Sequence, residues 1–319
     1  MIDKQRILVI KLGALGDFIQ AAGPFKAIRL HHKADHITLL TSQDFVDIAI
    51  ASHWFDHVKV DHKPKAVQFT KWLSLRKWIR GSGFRRIYDL QTSDRSNFYY
   101  KIMKPLNKLD LIPDWSGIAA GCSHPHDNMH RDLMHTIDRQ EEQLHKAGID
   151  TVPPGDFSWI NSNIRQFGLN KDFVLLAPGG ASHRPQKRWP RQNYQKLIQY
   201  FVSNKIQVAL IGGQEESLLL SELATTDSNC ISLAGKTNHL DLFSLARKSI
   251  IIIGNDTGPM HIAAASGSKT IVLYSADSDP ALCGQRGNDV TIFREHRVSD
   301  ISPIQIIKHI SQELRYNQT

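Results

Sequence analysis

The residues best suited to chemistry lie in the turn Gly254-Asn255-Asp256-Thr257-Gly258. The apolar run 250–253 before it predicts a buried strand, and Pro259 after it fits the first turn of a helix, where its missing N–H costs no bond. The run 270–274 predicts the next strand, so the segment reads as a βαβ unit. Backbone N–H groups at such a helix N-terminus favour an anion, most often phosphate. The alternative is an ordinary strand-to-helix turn without a ligand.

A second glycine turn, KLGALGD, follows the first predicted strand at residues 11–17. It lacks the G-x-G-x-x-G spacing, and no acidic residue closes the second strand to hold a ribose, so it is not a dinucleotide fingerprint. Asp17 stands at the head of the next predicted helix. The sequence alone favours a helix-capping role for this carboxylate. A functional role is the alternative, because the carboxyl ends of the strands are where doubly wound sheets place their functional groups.

Four further patterns have an ordinary structural interpretation. The loop PQKRWP at 185–190 reads as a charged surface loop. Glu216 is an acid in the first turn of a predicted helix. Gly235-Lys236-Thr237 resembles the end of a P-loop but lacks its first glycine. The histidines at 124, 126, 130 and 135 have no partner motif for zinc, so a solvated loop is favoured.

Charge and composition bound the class of protein. The net charge of +8 is concentrated in residues 61–110, which carry 12 lysines and arginines against 4 acids. A single basic patch with interleaved tryptophans predicts an anionic surface or substrate, whereas a nucleic-acid binder would be basic more widely. Three separate cysteines suit a reducing cytoplasm. No apolar stretch is long enough for a signal peptide or a membrane span.

Strands alternate with helices throughout, which predicts an α/β protein with two doubly wound parallel sheets. The Pro-Pro-Gly breaker at 153–155 places the linker near 150–170. We expect one domain over residues 1–160, a second over 161–300 and a C-terminal helix within 301–319. Residues 110–130 read as irregular, and 131–147 as one amphipathic helix.

Four motifs in order give the chain a family resemblance. GNDTGPMHIAAA, ILVIKLGALGDFIQ, the K-x-W-P element at Lys187 and the loop AGKT at 234–237 resemble the ADP-heptose:lipopolysaccharide heptosyltransferases, glycosyltransferase family nine. The resemblance runs from about residue 6 to 275. It implies the GT-B architecture, two Rossmann-like domains with a cleft between them, and a C-terminal helix that packs back on the first domain.

The resemblance also implies roles for single residues. Asp17 matches the family's general base, a carboxylate that takes the proton of the acceptor hydroxyl during inverting transfer. Lys187 matches the lysine that binds the donor diphosphate, which suits a metal-free leaving group. The other implied donor-binding residues are Ser182, Glu216, Thr237, Asp256, Thr257, Gly258 and His261. His261 could equally be a structural histidine. The implied acceptor-binding residues are Lys71, Arg76, Lys77 and Arg80.

The resemblance therefore implies an inverting, metal-independent enzyme without a cofactor. It would transfer heptose from ADP-heptose to a lipid-linked inner-core saccharide at the cytoplasmic face of the inner membrane, without nucleic acid as a partner. Two departures, QAAG at 20–23 and SHRPQKRWP at 182–190, lie near the expected substrates. A GT-B transferase with another nucleotide sugar or acceptor is the alternative within the class. A non-catalytic nucleotide-sugar-binding module is the alternative outside it, and a nucleic-acid binder is a weaker third.

Overall fold

The computed structural model describes residues 4–104 and 112–316, with side chains described up to residue 312. Contacts divide the chain into two compact units, Met1–Asp156 and Phe157–Thr319. The division lies inside the segment where the sequence placed the linker. Both units contain parallel strands alternating with helices, so the predicted α/β class with doubly wound sheets is confirmed.

The first unit is built on six parallel strands in the order β3-β2-β1-β4-β5-β6. Its elements in chain order are β1 (Arg6–Ile10), α1 (Leu15–Gln20), α2 (Ala22–His31), β2 (His36–Thr41), α3 (Val46–Ala51), β3 (His57–Val60), α4 (Phe69–Gly81), β4 (Arg86–Asp89), α5 (Asp94–Met103), β5 (Asp114–Gly117), β6 (His124–Pro125) and α6 (Thr136–Lys146). Strands β1 and β2 are apolar and buried almost throughout, because helices cover both faces of such a sheet.

Three predictions for this unit are corrected in detail. The single helix expected after the first turn is divided at Ala21, because Pro24 lacks an N–H and its ring clashes with the carbonyl four residues earlier. The segment 110–130 contains strands β5 and β6, which are too short and too polar to give a strand signal. The helix expected over 131–147 begins only at Thr136, where His135 Nδ1 accepts the N–H of Ile137.

The second unit repeats this order with the strands β12-β11-β10-β7-β8-β9. Its elements are β7 (Phe173–Ala177), α7 (Arg191–Ser203), β8 (Gln207–Leu210), α8 (Ser217–Ala224), β9 (Cys230–Ser232), α9 (His239–Lys248), β10 (Ile252–Asn255), α10 (Gly258–Ala265), β11 (Thr270–Tyr274), α11 (Pro280–Cys283), β12 (Val290–Arg294) and α12 (Pro303–Tyr316). Numbered within each unit, both sheets therefore have the order 3-2-1-4-5-6.

Two features of the second unit differ from the expectation. Strand β10 continues through Gly254 and Asn255, which pair with Val272 and Leu273, so the turn itself is only Asp256-Thr257. Helix α12 buries Ile306 and Ile310 in the core of the second unit and contacts α7. The expected packing of this helix on the first domain stays a prediction.

In each unit the two central strands, β1 and β4 or β7 and β10, are followed by connections that leave in opposite directions along the sheet. The carboxyl ends of the strands at such a switch point form the crevice where doubly wound sheets bind ligands. Asp17 follows β1 and Asp256 follows β10, so the sequence pattern positioned both residues at these crevices.

Candidate active site

The first glycine turn positions Asp17 in the first turn of α1. Gly13 has a φ of 119°, a conformation that a residue with a side chain rarely adopts, and the Gly13–Ala14 peptide bond is cis. Asp17 is half-buried, and its Oδ2 accepts the N–H of Ala14 at 3.1 Å. The capping role that the sequence favoured is therefore present. Its other oxygen, Oδ1, makes no hydrogen bond to the residues that the structure describes, so it could accept a proton.

Beside this turn lie Lys11 and Asp89, at the ends of the neighbouring strands β1 and β4. Lys11 is 4% exposed, and its Nζ donates to the carbonyl of Leu90 at 2.9 Å. Burial lowers the pKa of Lys11 to about 8, although the negative charges of Asp17 and Asp89 act to raise it. Sequence analysis missed Lys11, because a lysine directly after a buried strand usually marks only the return to solvent.

Asp89 was missed as well, since it reads as an ordinary polar residue closing a strand. It is fully buried, and its Oδ1 accepts the backbone N–H groups of Gln91 and Thr92 at 3.1 and 3.0 Å. Its Oδ2 has no hydrogen-bond partner among the residues that the structure describes. Burial raises the pKa of Asp89 to about 6 because the ionised form is only partly solvated by the protein.

Two arginines from the segment around α6 add positive charge to this end of the first sheet. Arg131 donates to Thr92 Oγ1 at 2.7 Å, and Arg139 donates to Thr136 Oγ1 at 3.1 Å. The charges of both arginines help to lower the pKa of Lys11. Lys11, Arg131 and Arg139 thus bring three cationic side chains near Asp17, and Arg131 is also paired with Asp132 at 2.9 Å.

In the second unit, Asn255 fixes the loops that surround the phosphate turn. It is fully buried at the end of β10, and its Oδ1 accepts the N–H of Trp189 and the hydroxyl of Tyr194, both at 3.0 Å. Its Nδ2 donates to the carbonyls of Pro178 and Gly179 at 2.9 and 2.8 Å. One amide therefore ties β10 to the loop after β7 and to the start of α7.

The next residue, Asp256, forms an ion pair with Lys187. Lys187 Nζ lies 2.7 Å from Asp256 Oδ2, and the side chains are 13% and 10% exposed. Burial by itself would raise the pKa of Asp256. Hydrogen bonds from Lys187 and Ser278, together with the lysine charge, outweigh burial and hold this pKa below its usual range. The structure thus brings two predicted donor-binding residues together.

The turn after this aspartate begins α10 without a capping bond from the side chain of its N-cap residue, Thr257. The hydroxyl of Thr257 donates to the carbonyl of Asn255 at 3.2 Å instead. Thr257 and Gly258 are half-buried. Their position beside an ammonium group is the arrangement that an anionic ligand requires, namely helix-terminal N–H groups together with a positive charge.

Comparison with known proteins supports the same interpretation. A family model described as glycosyltransferase family 9 (heptosyltransferase) matches residues 120–302, which is more than half of the chain.

The chain belongs to glycosyltransferase family 9.

Individual relatives agree with this membership. The lipooligosaccharide heptosyltransferase 2 of Haemophilus influenzae is 33% identical over 120 residues, which are 36% of this chain and 34% of that protein, so the match spans about a third of the relative. The solved structure of Escherichia coli ADP-heptose lps heptosyltransferase II superimposes with a TM-score of 0.82 at 18% identity, covering 99% of this chain and 100% of that one. E. coli heptosyltransferase WaaC with ADP-2-deoxy-2-fluoro heptose gives a TM-score of 0.75 at 15% identity, covering 97% and 100%. The predicted family and the GT-B fold class are confirmed.

The other residues predicted to bind the donor differ in how far they are exposed to solvent. Glu216 Oε1 accepts the N–H of Gly180 at 2.6 Å and its Oε2 accepts that of Gly213 at 2.8 Å, so the carboxylate ties two loops together. Its predicted contact with ribose stays a prediction. Thr237 and His261 are half-buried, and Ser182 is exposed. Their contacts with a donor also stay predictions.

The predicted acceptor-binding residues of α4 do not form one cluster. Lys71 lines a cavity of about 430 Å³ together with Lys59, His62 and Trp78. Arg76, Lys77 and Arg80 line a shallower depression of about 520 Å³. Arg76 donates from Nε to the carbonyl of Ile102 at 2.7 Å, which gives this arginine a structural role that the sequence did not reveal.

Two of the four histidines that were considered for metal binding have defined structural surroundings. His135 caps the first turn of α6, as described above. His126 is buried, and burial lowers its pKa. Across residues 4–104 and 112–316, no group of three or more His, Cys, Asp or Glu side chains could hold a metal ion. Metal independence stays a prediction for the assay below.

Proposed function

We propose that the protein transfers heptose from ADP-heptose to an acceptor in the lipopolysaccharide inner core, with inversion at the anomeric carbon. Family membership supports heptosyl transfer, and the related WaaC was solved with an ADP-heptose analogue. The observation that carries the proposal is the largely shielded Lys187–Asp256 pair beside the N-terminus of α10, which the side chain of Thr257 does not cap. A diphosphate is the part of ADP-heptose that such a site would recognise.

In the proposed reaction, Asp17 Oδ1 takes the proton of the acceptor hydroxyl while the acceptor oxygen attacks the anomeric carbon of heptose. The bond from that carbon to the diphosphate breaks at the same time, and its electron pair goes to the departing ADP. Lys187 and the N–H groups of Thr257 and Gly258 would stabilise the charge that develops on ADP. No residue in this scheme requires a metal or a cofactor.

Acceptor recognition is proposed for the basic parts of the first unit. Inner-core saccharides that carry phosphate or carboxylate groups would meet Lys11, Arg131 and Arg139 near Asp17. Lys71 and the indole of Trp78 in the α4 cavity offer a charge and an apolar face to a more distant sugar. Strand β3, which leads into that cavity, lies two strands from β1, about 10 Å at the usual strand spacing.

Peripheral contact with the cytoplasmic face of the inner membrane is part of the proposal. Val67, Phe69 and Leu73 on and before α4 are 77%, 73% and 64% exposed, and exposed Lys71 and Lys77 accompany them. Exposed apolar side chains among cations suit a surface of anionic lipid. Among residues 4–104 and 112–316, no helix combines the length and apolarity needed to cross a bilayer.

The direct test is a transfer assay with a panel of nucleotide sugars and a lipid-linked inner-core acceptor. We expect turnover with ADP-heptose, an inverted anomeric configuration in the product and full activity in excess EDTA. Turnover with another nucleotide sugar alone would favour the alternative GT-B transferase. Binding of nucleotide sugars without turnover on any acceptor would favour the non-catalytic module.

A further inference from the structure

Three hydrogen-bond donors from two separate segments surround the Asp256 carboxylate. Its Oδ2 accepts from Lys187 Nζ at 2.7 Å and from Ser278 Oγ at 2.8 Å. Its Oδ1 accepts from Gln285 Nε2 at 3.2 Å. Ser278 and Gln285 both belong to the segment between β11 and β12, which sequence analysis left without a role. This segment therefore completes the surroundings of the ion pair.

A tyrosine behind Gln285 fixes which way the amide points. The hydroxyl of Tyr274 donates to Gln285 Oε1 at 2.7 Å, and the two side chains are 0% and 4% exposed. Burial, followed by the charge of Asp256, raises the pKa of Tyr274, so this hydroxyl keeps its proton and remains a donor. The ionised Asp256 carboxylate can only accept, so the NH₂ of the amide faces Asp256 and its oxygen faces the tyrosine.

The backbone next to Gln285 allows this close packing. A Cβ on Gly284 would lie 2.5 Å from the carbonyl oxygen of Pro280, so a larger residue would force the chain away from α11. Gly284 thus lets the chain turn tightly after the helix and direct Gln285 inward.

We propose that Gln285 is a positioning residue for donor binding: by donating to Asp256 it holds that carboxylate in the orientation that keeps Lys187 Nζ aimed at a diphosphate. The inference rests on the proposed role of Lys187. An ammonium group has three N–H bonds, and the bond to Asp256 uses one of them. The other two remain for phosphate oxygens, and a lysine that is already ordered loses less conformational freedom when the ligand binds.

The neutral amide is essential to this arrangement. A carboxylate in place of Gln285 would lie about as close to Asp256 as the amide nitrogen does, and two carboxylates at such a distance cannot both ionise without strong repulsion. One of them would keep its proton at neutral pH. Once both were ionised, the added negative charge would repel a diphosphate and displace the lysine.

The test is calorimetric titration of ADP into wild type and Gln285→Glu from pH 5.5 to 8.5, in buffer with EDTA. We expect nearly equal dissociation constants at pH 5.5, where the introduced carboxyl group is protonated and donates to Asp256 as the amide does. At pH 8.5 we expect the variant to bind ADP at least tenfold more weakly. The ratio of the two constants is the readout, because protonation of ADP itself cancels. A ratio that does not change with pH overturns the inference.

Gln207→Glu is the matched control. Gln207 is also a buried glutamine of the second unit, 7% exposed, and its Oε1 accepts the N–H of Asn170 at 2.7 Å. It begins β8 and therefore lies at the amino ends of the parallel strands, whereas Asp256 lies at their carboxyl ends. Its ratio to wild type should be independent of pH. A pH-dependent ratio in this control equal to that of Gln285→Glu would also overturn the inference.

Gln285→Met covers the case in which the glutamate variant does not fold. It removes the donor without adding charge, so ADP should bind about 2–10-fold more weakly at every pH, the usual contribution of one hydrogen bond. ADP binding equal to wild type would count against the inference. Lys187→Met distinguishes failure of the proposed function from failure of the inference about Gln285. If it binds ADP as wild type does, the proposed role of Lys187 fails. If it weakens ADP while Gln285→Glu follows wild type at all pH values, only the inference about Gln285 fails.

Discussion

Each unit has one lysine and one aspartate, both largely shielded from solvent, at or beyond the carboxyl ends of its two central strands. They are Lys11 and Asp89 in the first unit and Lys187 and Asp256 in the second. The two units differ in the number of hydrogen bonds that the protein donates to each aspartate. Asp256 in the second unit accepts from Lys187, Ser278 and Gln285, and its pKa is lowered. Asp89 in the first unit has one oxygen without a partner among the described residues, and its pKa is raised to about 6. The same strand order therefore supports opposite electrostatics, because the connecting loops and not the sheets supply the donors.

This difference matters for the proposed roles of the two units, donor binding by the second and proton transfer by the first. A carboxylate with several donors keeps its charge and can orient Lys187, as a site for a diphosphate leaving group requires. In the first unit, burial shifts Lys11 and Asp89 towards their neutral forms, while Asp17 on the next turn stays half-buried with Oδ1 available. We expect the second unit to tolerate changes to its polar contacts poorly and the first unit to gain stability when its buried charge is removed.

The largest expected effect concerns Asp17 in the first unit. Asp17→Asn should lower turnover by about 10²–10⁴-fold, because an amide cannot accept the acceptor's proton. Stability should change little, since asparagine caps helices about as well as aspartate. Steady-state transfer rates and thermal unfolding measure the two effects.

Asp47→Asn is the matched control for this variant. Asp47 is an exposed acid in the first turn of α3, in the same unit. It should leave turnover unchanged. If Asp17→Asn instead melts early and keeps its specific rate, Asp17 is only a cap and the catalytic assignment is wrong.

The second prediction tests the second unit, where hydrogen-bond partners surround the buried polar groups. Asn255→Ala should lower the free energy of unfolding by about 3–5 kcal/mol, because it removes the partners of two backbone carbonyls, one N–H and one hydroxyl in a buried site. Urea unfolding measures the change. A loss below about 1 kcal/mol would mean that these loops do not depend on the amide.

The third prediction tests the first unit, where burial raises the pKa of Asp89. A carboxyl group with a raised pKa stabilises the fold below its unfolded pKa of about 4, and this stability is lost as the pH rises towards 6. Asp89→Asn removes that titration. Relative to wild type, the variant should therefore gain about 2–3 kcal/mol between pH 4 and pH 7, from a shift of about two pKa units.

Urea unfolding across this pH range measures the gain. Asp114→Asn, an exposed acid at the start of β5, is the control and should show no such gain. A gain of the same size in the control, or a relative loss of stability for Asp89→Asn as the pH rises, would contradict the raised pKa of Asp89.

These contrasts also show what the sequence could and could not predict. The strand and helix periodicity, the glycine turn before Asp17 and the Asp256-Thr257 turn are local patterns, so the fold class and both crevices were predictable. Gln285 lies 29 residues from Asp256 along the chain and meets it only through the packing of β11 against β10. Contacts of this kind leave no local signal, and the same holds for Lys11 and Asp89 across β1 and β4.

The smallest expected effect concerns the surface of the first unit. Wild type should sediment with vesicles of anionic lipid and much less at high salt, because exposed charges are screened within about 8–10 Å at physiological ionic strength. Lys71→Glu with Lys77→Glu should weaken the affinity for these vesicles about 30-fold, at about 1 kcal/mol for each cation lost. These lysines are preferred to Arg76, whose bond to Ile102 supports the fold.

Lys4→Glu with Lys33→Glu is the control, since it changes the net charge equally at two exposed positions away from α4. It should sediment nearly as wild type does. Equal binding of wild type to neutral and anionic vesicles would show α4 to be an ordinary solvated helix.

The central claim is that the second unit holds the donor diphosphate through Lys187 while Asp17 in the first unit acts only in the chemical step. Titration calorimetry of ADP into wild type, Asp17→Asn and Lys187→Met tests it most directly, with Lys196→Met on the exposed face of α7 as the control. We expect Asp17→Asn and Lys196→Met to bind ADP as wild type does. Lys187→Met should bind it at least tenfold more weakly, since a charge-assisted hydrogen bond contributes about 1.5–3 kcal/mol. Unchanged ADP binding by Lys187→Met, or a comparable loss in Asp17→Asn, would contradict the account.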